Sequence, residues 1–197
     1  MLLETRVLQD SDPDLAGLLA EGFEVVGESW GAVLTVDRGS GSAELPARLR
    51  RFVDDARSRG VEVRELDESD AAAIVALELA SESDFPYTPA TAHRATTADE
   101  VREWPARGRR AFGAIASGEL VALCVGRGGD NDFVTVARPH RRAGIGTAVV
   151  AAWMLAAIEA GESAFTAGGA AQNAGSLGMI RAIGFTVDER WLSLQRR

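Results

Sequence analysis

The residues with the clearest chemistry lie in the run Val134-Thr135-Val136-Ala137-Arg138-Pro139-His140-Arg141-Arg142-Ala143-Gly144-Ile145-Gly146-Thr147. A β-branched strand gives way to adjacent arginines and a turn with glycines at alternate positions, and a long alanine-rich apolar segment follows. Such a turn exposes consecutive backbone N–H groups, and a helix starting there adds the positive end of its dipole. A phosphate or pyrophosphate is therefore the natural partner. Gly144 and Gly146 remove Cβ obstruction, while Arg141 and Arg142 add charge and hydrogen-bond donors. Two common phosphate binders fail on spacing: a dinucleotide fingerprint requires a small residue where Val149 stands, and no Gly-Lys-Ser/Thr of a P-loop is present. A plain strand-to-helix turn with solvent-facing arginines is the alternative at this point.

The elements that must position this turn follow from periodicity and punctuation. Pro46 opens a helix over 46–58, with Leu49, Phe52, Val53 and Ala56 on one face and Gly60 to stop it. Alternation over 61–66 predicts a strand, and Ser69 or Asp70 caps a helix to Leu79. Pro86 and Pro89 mark 81–97 as an irregular loop, and a short helix over 98–104 stops before Pro105. Residues 111–116 and 120–126 form a hairpin about Ser117-Gly118-Glu119, and Gly128-Gly129 turns the chain into a strand over 132–137. A helix from Gly146 to Gly161, a strand over 164–168, a helix over 174–182 and two strands at 185–187 and 191–195 complete the order. Strands alternating with helices in this way predict an α/β fold with a mixed sheet.

Three units are expected: an N-terminal arm over 1–36, a linker and helix over 37–60 opened by Asp37-Arg38-Gly39-Ser40-Gly41-Ser42, and a main domain over 61–197. The arm carries Gly22-Phe23 followed by Glu28-Ser29-Trp30, and the C-terminus carries Gly184-Phe185 followed by Glu189-Arg190-Trp191. This is either a repeat, with the arm as the tail of a degenerate first copy, or a coincidence of two helix-to-strand joints relieved by glycine. The arm would complete a sheet within the chain or across a homodimer.

With 21 basic and 29 acidic side chains the net charge is −8, which argues against nucleic acid or an anionic membrane as partner. One cysteine, Cys124, and the lack of a basic-then-apolar start suggest a reduced, cytoplasmic protein, and two histidines with that cysteine make a structural zinc site improbable, so no metal is expected. The longest apolar stretch is too short to span a bilayer.

The Val-x-Val strand followed by Arg141-Arg142-Ala143-Gly144-Ile145-Gly146 resembles the Arg/Gln-x-x-Gly-x-Gly/Ala motif of the GNAT superfamily of N-acetyltransferases. Asn173-Ala174-Gly175-Ser176 and then Ala182-Ile183-Gly184-Phe185 resemble that family's Asn-x-x-Ala/Ser helix ending in Gly-Phe, and the likeness covers about 61–197. It implies a mixed, mainly antiparallel twisted sheet flanked by helices. It also implies acetyl-CoA as cosubstrate and an acetyl group transferred to a primary amine of a small molecule or protein N-terminus. By position, the backbone of Val134, Thr135 and Val136 would meet the pantetheine arm, and the turn from Arg141 to Thr147 would cradle the pyrophosphate. Asn173 would contact the same arm near the thiol, or serve as a helix N-cap, and Ser176 is a further cofactor-binding candidate.

The chemistry asks for an unprotonated amine, an N–H donor to the developing oxyanion, for which Val136 is the nearest candidate, and a proton for the thiolate. The family's usual proton donor is a tyrosine at the position of Ile180. The remaining candidates are Asp130 as base, with Asp132 beside it in a turn that is equally a solvated one, and Tyr87 as donor or pocket lining. Glu78 and Glu82 are either a lure for a cationic amine or ordinary exposed helix carboxylates. A non-catalytic acyl-CoA-binding sensor or interaction module is the rival reading.

Overall fold

The computed structural model describes residues 4–36 and 43–196, so the linker expected at 37–42 lies outside the described residues. The arm supplies β1 (Glu4–Gln9), α1 (Leu15–Ala20) and β2 (Glu24–Thr35). Then come α2 (Glu44–Ser58), β3 (Glu62–Glu65), α3 (Ala71–Ser81) and α4 (Ala98–Glu103). The antiparallel run β4 (Arg109–Ala116), β5 (Glu119–Arg127) and β6 (Asp130–Val136) leads into α5 (Ile145–Glu159), β7 (Ala164–Ala170), α6 (Ala174–Ile183) and β8 (Thr186–Arg196). All eight strands form one sheet in the order β1-β8-β2-β7-β6-β5-β4-β3, antiparallel except where β6 meets β7. The expected mixed, mainly antiparallel sheet flanked by helices is present.

Side-chain alternation along the strands divides the core in two. Phe112, Ala114, Ala122 and Cys124 pack with Leu49, Val53 and Ala56 of α2 and with Val149 and Trp153 of α5. Ala111, Leu123 and Val125 on the other face meet Ile74 and Leu77 of α3 with Val101 and Trp104 near α4. Helix α5 buries Ala148, Val149, Val150 and Ala151 in succession, because α2 covers the side that the sheet leaves open. Its weak amphipathicity follows from burial all round.

One strand boundary departs from expectation. Residues 186–196 form a single strand where two were expected, because β1 pairs with β8 from Glu4↔Arg196 to Gln9↔Trp191 and β2 pairs along its other side. β2 holds Glu189 and Arg190 extended despite their polarity, and Asp188 lies at a register shift of that ladder.

The arm docks within the chain: β2 lies between β7 and β8, placing Trp30, Ala32 and Leu34 in the main core. Its likeness to the C-terminus has a local account. Gly22 and Gly184 both have left-handed φ, of 91° and 109°. After each, the phenylalanine N–H returns to a carbonyl five residues back, Phe23 to Leu18 at 3.1 Å and Phe185 to Ile180 at 3.2 Å. Both joints are the same Schellman cap with a buried aromatic at its end. Shared capping physics accounts for the Gly-Phe pair at each joint.

Candidate active site

Strands β6 and β7 run parallel yet pair only at Asp130↔Thr166, where Thr166 N–H donates to Gly129 O at 3.0 Å. Beyond that vertex they separate. Ala137 N–H donates to Val121 O on β5, so by alternation Thr135 faces β5 while Val134 and Val136 turn their backbone groups toward the gap. An extended chain with amide groups can complete the sheet there.

The gap opens at one end onto a cavity of about 510 Å³ lined by Val134, Thr135, Val136, Arg141, Arg142, Gly144, Ile145, Gly146, Thr147, Asn173 and Ser176. Of the expected anion-binding set, Ala143 alone is not part of this wall. Arg142 and Gly144 have φ of 64° and 74°, so the turn curls its N–H groups into a nest ahead of α5. No side chain caps α5, which leaves the first-turn N–H groups of Ile145, Gly146 and Thr147 for a ligand. The two glycines have different jobs. Gly144 supplies the left-handed φ, whereas a Cβ at Gly146 would crowd Val136 Cγ2 at 3.1 Å and Met179 Sδ at 3.3 Å.

Arg141 is already engaged. Its Nε donates to Val136 O at 2.9 Å and its Nη2 to Asp84 Oδ2 at 2.6 Å, while Arg138 holds the other oxygen of Asp84. The two arginines keep the Asp84 carboxyl below the usual carboxylate range, Arg138 contributing most. Arg142 makes no ion pair among the described residues and is the open charge of the turn. Asn173 takes its N-cap role, accepting from Ser176 N–H at 3.1 Å, and also borders the gap.

On the other side of the gap lies a second cavity of about 670 Å³. Its floor is Ser29 and Gly31 of β2, Glu189 and Trp191 of β8 and Thr166 to Ala170 of β7. The 85–93 loop borders it through Phe85, Pro86 and His93, and a Cβ at Gly27 of β2 would already touch Thr88 of that loop at 3.0 Å. Glu189 accepts from Trp191 Nε1 at 2.9 Å and makes no ion pair among the described residues.

The proposed proton-transfer residues are placed differently. Asp130 stands at the vertex, accepting from Thr166 Oγ1 at 2.6 Å, and is not on the wall of either cavity. Asp132 is on the wall but is paired with Arg109 at 2.9 Å. Tyr87 is 71% exposed and lines neither cavity; Phe85 and Pro86 do so instead. Ile180 is buried at the edge of the second cavity, with no proton to give. Glu78 is completely buried, unlike an ordinary helix carboxylate, and accepts from Thr96 N–H, while Glu82 accepts from Ala95 N–H at 3.0 Å. Both carboxylates tie the loop to α3.

Sequence reasoning missed His93, Glu189 and Asp84. His93 stacks on Phe85 with centroids 4.2 Å apart and lies 4.7 Å from Phe133. Burial pushes its pKa below the ordinary histidine value, partly opposed by Glu78 and Glu82, so the ring is neutral at pH 7. Its only signal in the sequence is that it is one of two histidines. Among the described residues no group of three or more His, Cys, Asp or Glu side chains is placed to hold a metal, and no helix is long and apolar enough to cross a membrane.

The sequence model of the Acetyltransferase (GNAT) family matches residues 74–185, which contain the vertex, the gap and the nest. The chain belongs to this family. Solved GNAT structures share the fold at low identity. A GCN5-related N-acetyltransferase from Sphaerobacter thermophilus superposes with a TM-score of 0.69 at 17% identity, covering 99% of this chain and 59% of that one. A tandem GNAT protein from the clavulanic acid biosynthesis pathway, solved without acetyl-CoA, gives 0.64 at 19%, covering 98% and 63%. For an acetyltransferase of the family from Streptococcus pneumoniae the values are 0.54 and 13%, covering 69% and 98%. The chain thus spans about three-fifths of the first two structures. No protein of curated function matches the sequence.

Proposed function

We propose that this GNAT protein transfers the acetyl group of acetyl-CoA to a primary amine by direct attack. The observation that carries this reading is the continuity of the site: a parallel pair joined only at Asp130↔Thr166 opens beside an uncapped helix start and connects it to a second cavity. The nest and the first-turn N–H groups of α5 suit a pyrophosphate, and Arg142 adds a charge that no acid neutralises among the described residues. Val134 and Val136 offer backbone groups to an amide-bearing arm. The acyl carbonyl needs a backbone N–H donor, which Val134 and Val136 both turn toward the gap.

Acetyl-CoA supplies an acyl group activated as a thioester; the chain's own residues bind, align and handle the proton. Asp84 fixes Arg141 and Arg138 and with them the end of β6. In the second cavity the aromatic walls and Glu189 suit an acceptor with a cationic group.

Ile180 favours one rival, an acyl-CoA-binding module without turnover. Calorimetry with acetyl-CoA and CoA tests the site, and thiol release with butylamine, 1,4-diaminobutane, benzylamine and tryptamine tests transfer. Binding with release supports the enzyme; binding without release from any amine supports the module; NAD or ATP binding more tightly than CoA overturns both.

A further inference from the structure

The buried polar atoms without a hydrogen-bond partner in the described structure include Nε2 of His93, whose ring lines the second cavity, and Oε1 of Glu78. Each omission costs about 1–3 kcal/mol by desolvation. Glu78 is fully buried on α3, and its other oxygen accepts from Thr96 N–H, three residues beyond His93 in the same loop. The carboxylate is thereby clamped against the segment that carries the ring. The ring itself is fixed between Phe85 and Phe133, and it lines the cavity.

The groups facing His93 are few. Glu78 is the principal charge acting on it, Glu82 acts in the same sense from the end of α3, and Arg94 on its own segment opposes them. Across the cavity Asp132, next to Phe133, is paired with Arg109. Desolvation outweighs the attraction of the acids, so an unprotonated nitrogen is present at neutral pH. Of the carboxylates near the cavity, Asp130 is committed to Thr166 and Asp132 to Arg109, while Glu189 of β8 accepts from Trp191 on the cavity floor.

We propose that His93 is the general base for the acceptor amine and that Glu78, the principal charge acting on the ring and the carboxylate that clamps its loop, is its positioning residue. The inference rests on the acetyl-transfer reading. In the step, the nitrogen–carbonyl bond forms and the carbon–sulfur bond breaks. The proton leaving nitrogen passes to the His93 imidazole, and the imidazolium returns one through solvent to the departing thiolate, so charge and protons balance.

The test uses the full chain. Carbon-13 NMR of the two histidines, assigned with His140→Gln, gives the titration of His93. A midpoint below 6.5 is expected, falling further in Glu78→Gln, because removal of a carboxylate removes a force that favours the protonated ring. Thiol release is then followed against pH with the fastest amine of the panel and with hydroxylamine, which is largely unprotonated at neutral pH. His93→Gln should lower kcat for the alkylamine about 10²–10³-fold at pH 7 with the KM for acetyl-CoA unchanged, and should affect hydroxylamine far less. His93→Phe, which keeps an aromatic ring in the stack, should show the same loss with a wild-type melting temperature. Glu78→Gln should move the acidic limb of the kcat profile to lower pH.

Wild-type profiles in both His93 variants would overturn the proposal while leaving acetyl transfer intact. So would a His93 titration indifferent to Glu78→Gln. A wild-type protein that releases no thiol with any amine would overturn the transfer reading, and the base with it.

Discussion

Gly129 stands where β6 and β7 touch. A Cβ there would fall far inside the van der Waals radius of the Ala164 carbonyl oxygen and 3.1 Å from its carbon, so Gly129→Ala forces the two strands apart by about 1 Å or more. That displacement breaks the 3.0 Å bond from Thr166 N–H to Gly129 O and strains the 2.6 Å bond from Thr166 Oγ1 to Asp130. Each lost bond costs about 1 kcal/mol and the crowding about 1–3 kcal/mol, against about 0.4–1 kcal/mol regained by stiffening the unfolded chain. The net of about 3 kcal/mol corresponds to a melting temperature lower by about 6–12 °C for a domain of this size.

The functional effect should exceed the stability effect. The gap is defined by its vertex, so CoA affinity should fall at temperatures where the variant is still folded. Gly118→Ala is the control: unlike Gly129 it has left-handed φ, 83°, but open space around it, so it should cost about 1 kcal/mol through backbone strain alone with CoA binding unchanged. Thermal unfolding by circular dichroism and CoA calorimetry at 20 °C provide the readouts. A Gly129→Ala protein melting within 3 °C of wild type and binding CoA normally would refute the claim that this contact sets the opening.

Other expectations follow from single contacts. Arg142→Gly removes the open charge of the nest while relieving a left-handed non-glycine residue, so CoA affinity should fall about tenfold in calorimetry while the melting temperature holds or rises. Glu189→Gln should raise KM for 1,4-diaminobutane more than for butylamine, by about tenfold, with acetyl-CoA binding unchanged. Glu100 is held down to about 2, mainly by Arg94 and then by the Thr97 cap. A depressed carboxylate contributes its stability fully above the ordinary value near 4.5 and loses it as pH falls toward about 2, so acid melts of Arg94→Gln should show a shallower loss across that window. Gly17→Ala, in α1 with open space, should raise the melting temperature by about 1–3 °C.

Much of the site was legible because its chemistry is local. The nest ahead of α5 is written in the types of Arg142, Gly144 and Gly146, and the caps in Asn173 and Gly184. The second cavity is assembled from distant segments and was not legible. His93 reaches its cavity only because Glu78 and Glu82 tie the 85–97 loop to α3 and because Gly27 lets that loop rest on β2. Asp84 likewise meets Arg138 and Arg141 across more than fifty residues. The misplacement of Tyr87 has the same origin: a proline-flanked loop announces its irregularity but not which of its neighbours Phe85, Pro86 and Tyr87 turns inward.

The N-terminal arm joins these two halves. With β2 between β7 and β8, Ser29 and Gly31 become the cavity floor, and the Gly31↔Glu189 pairing sets Glu189 beside a residue with no side chain to displace it. Trp30, on the opposite face, packs in the main core against Gly169. Removing 1–36 would therefore uncover the inner edges of both β7 and β8 and expose Phe165 and Leu194, each fully buried. The expected result is a chain that fails to fold and not one with a trimmed pocket, because an unpaired pair of inner edges costs more than the few kcal/mol by which a domain is stable. A truncated protein that melts cooperatively and still binds CoA would show that β7 and β8 can close on each other.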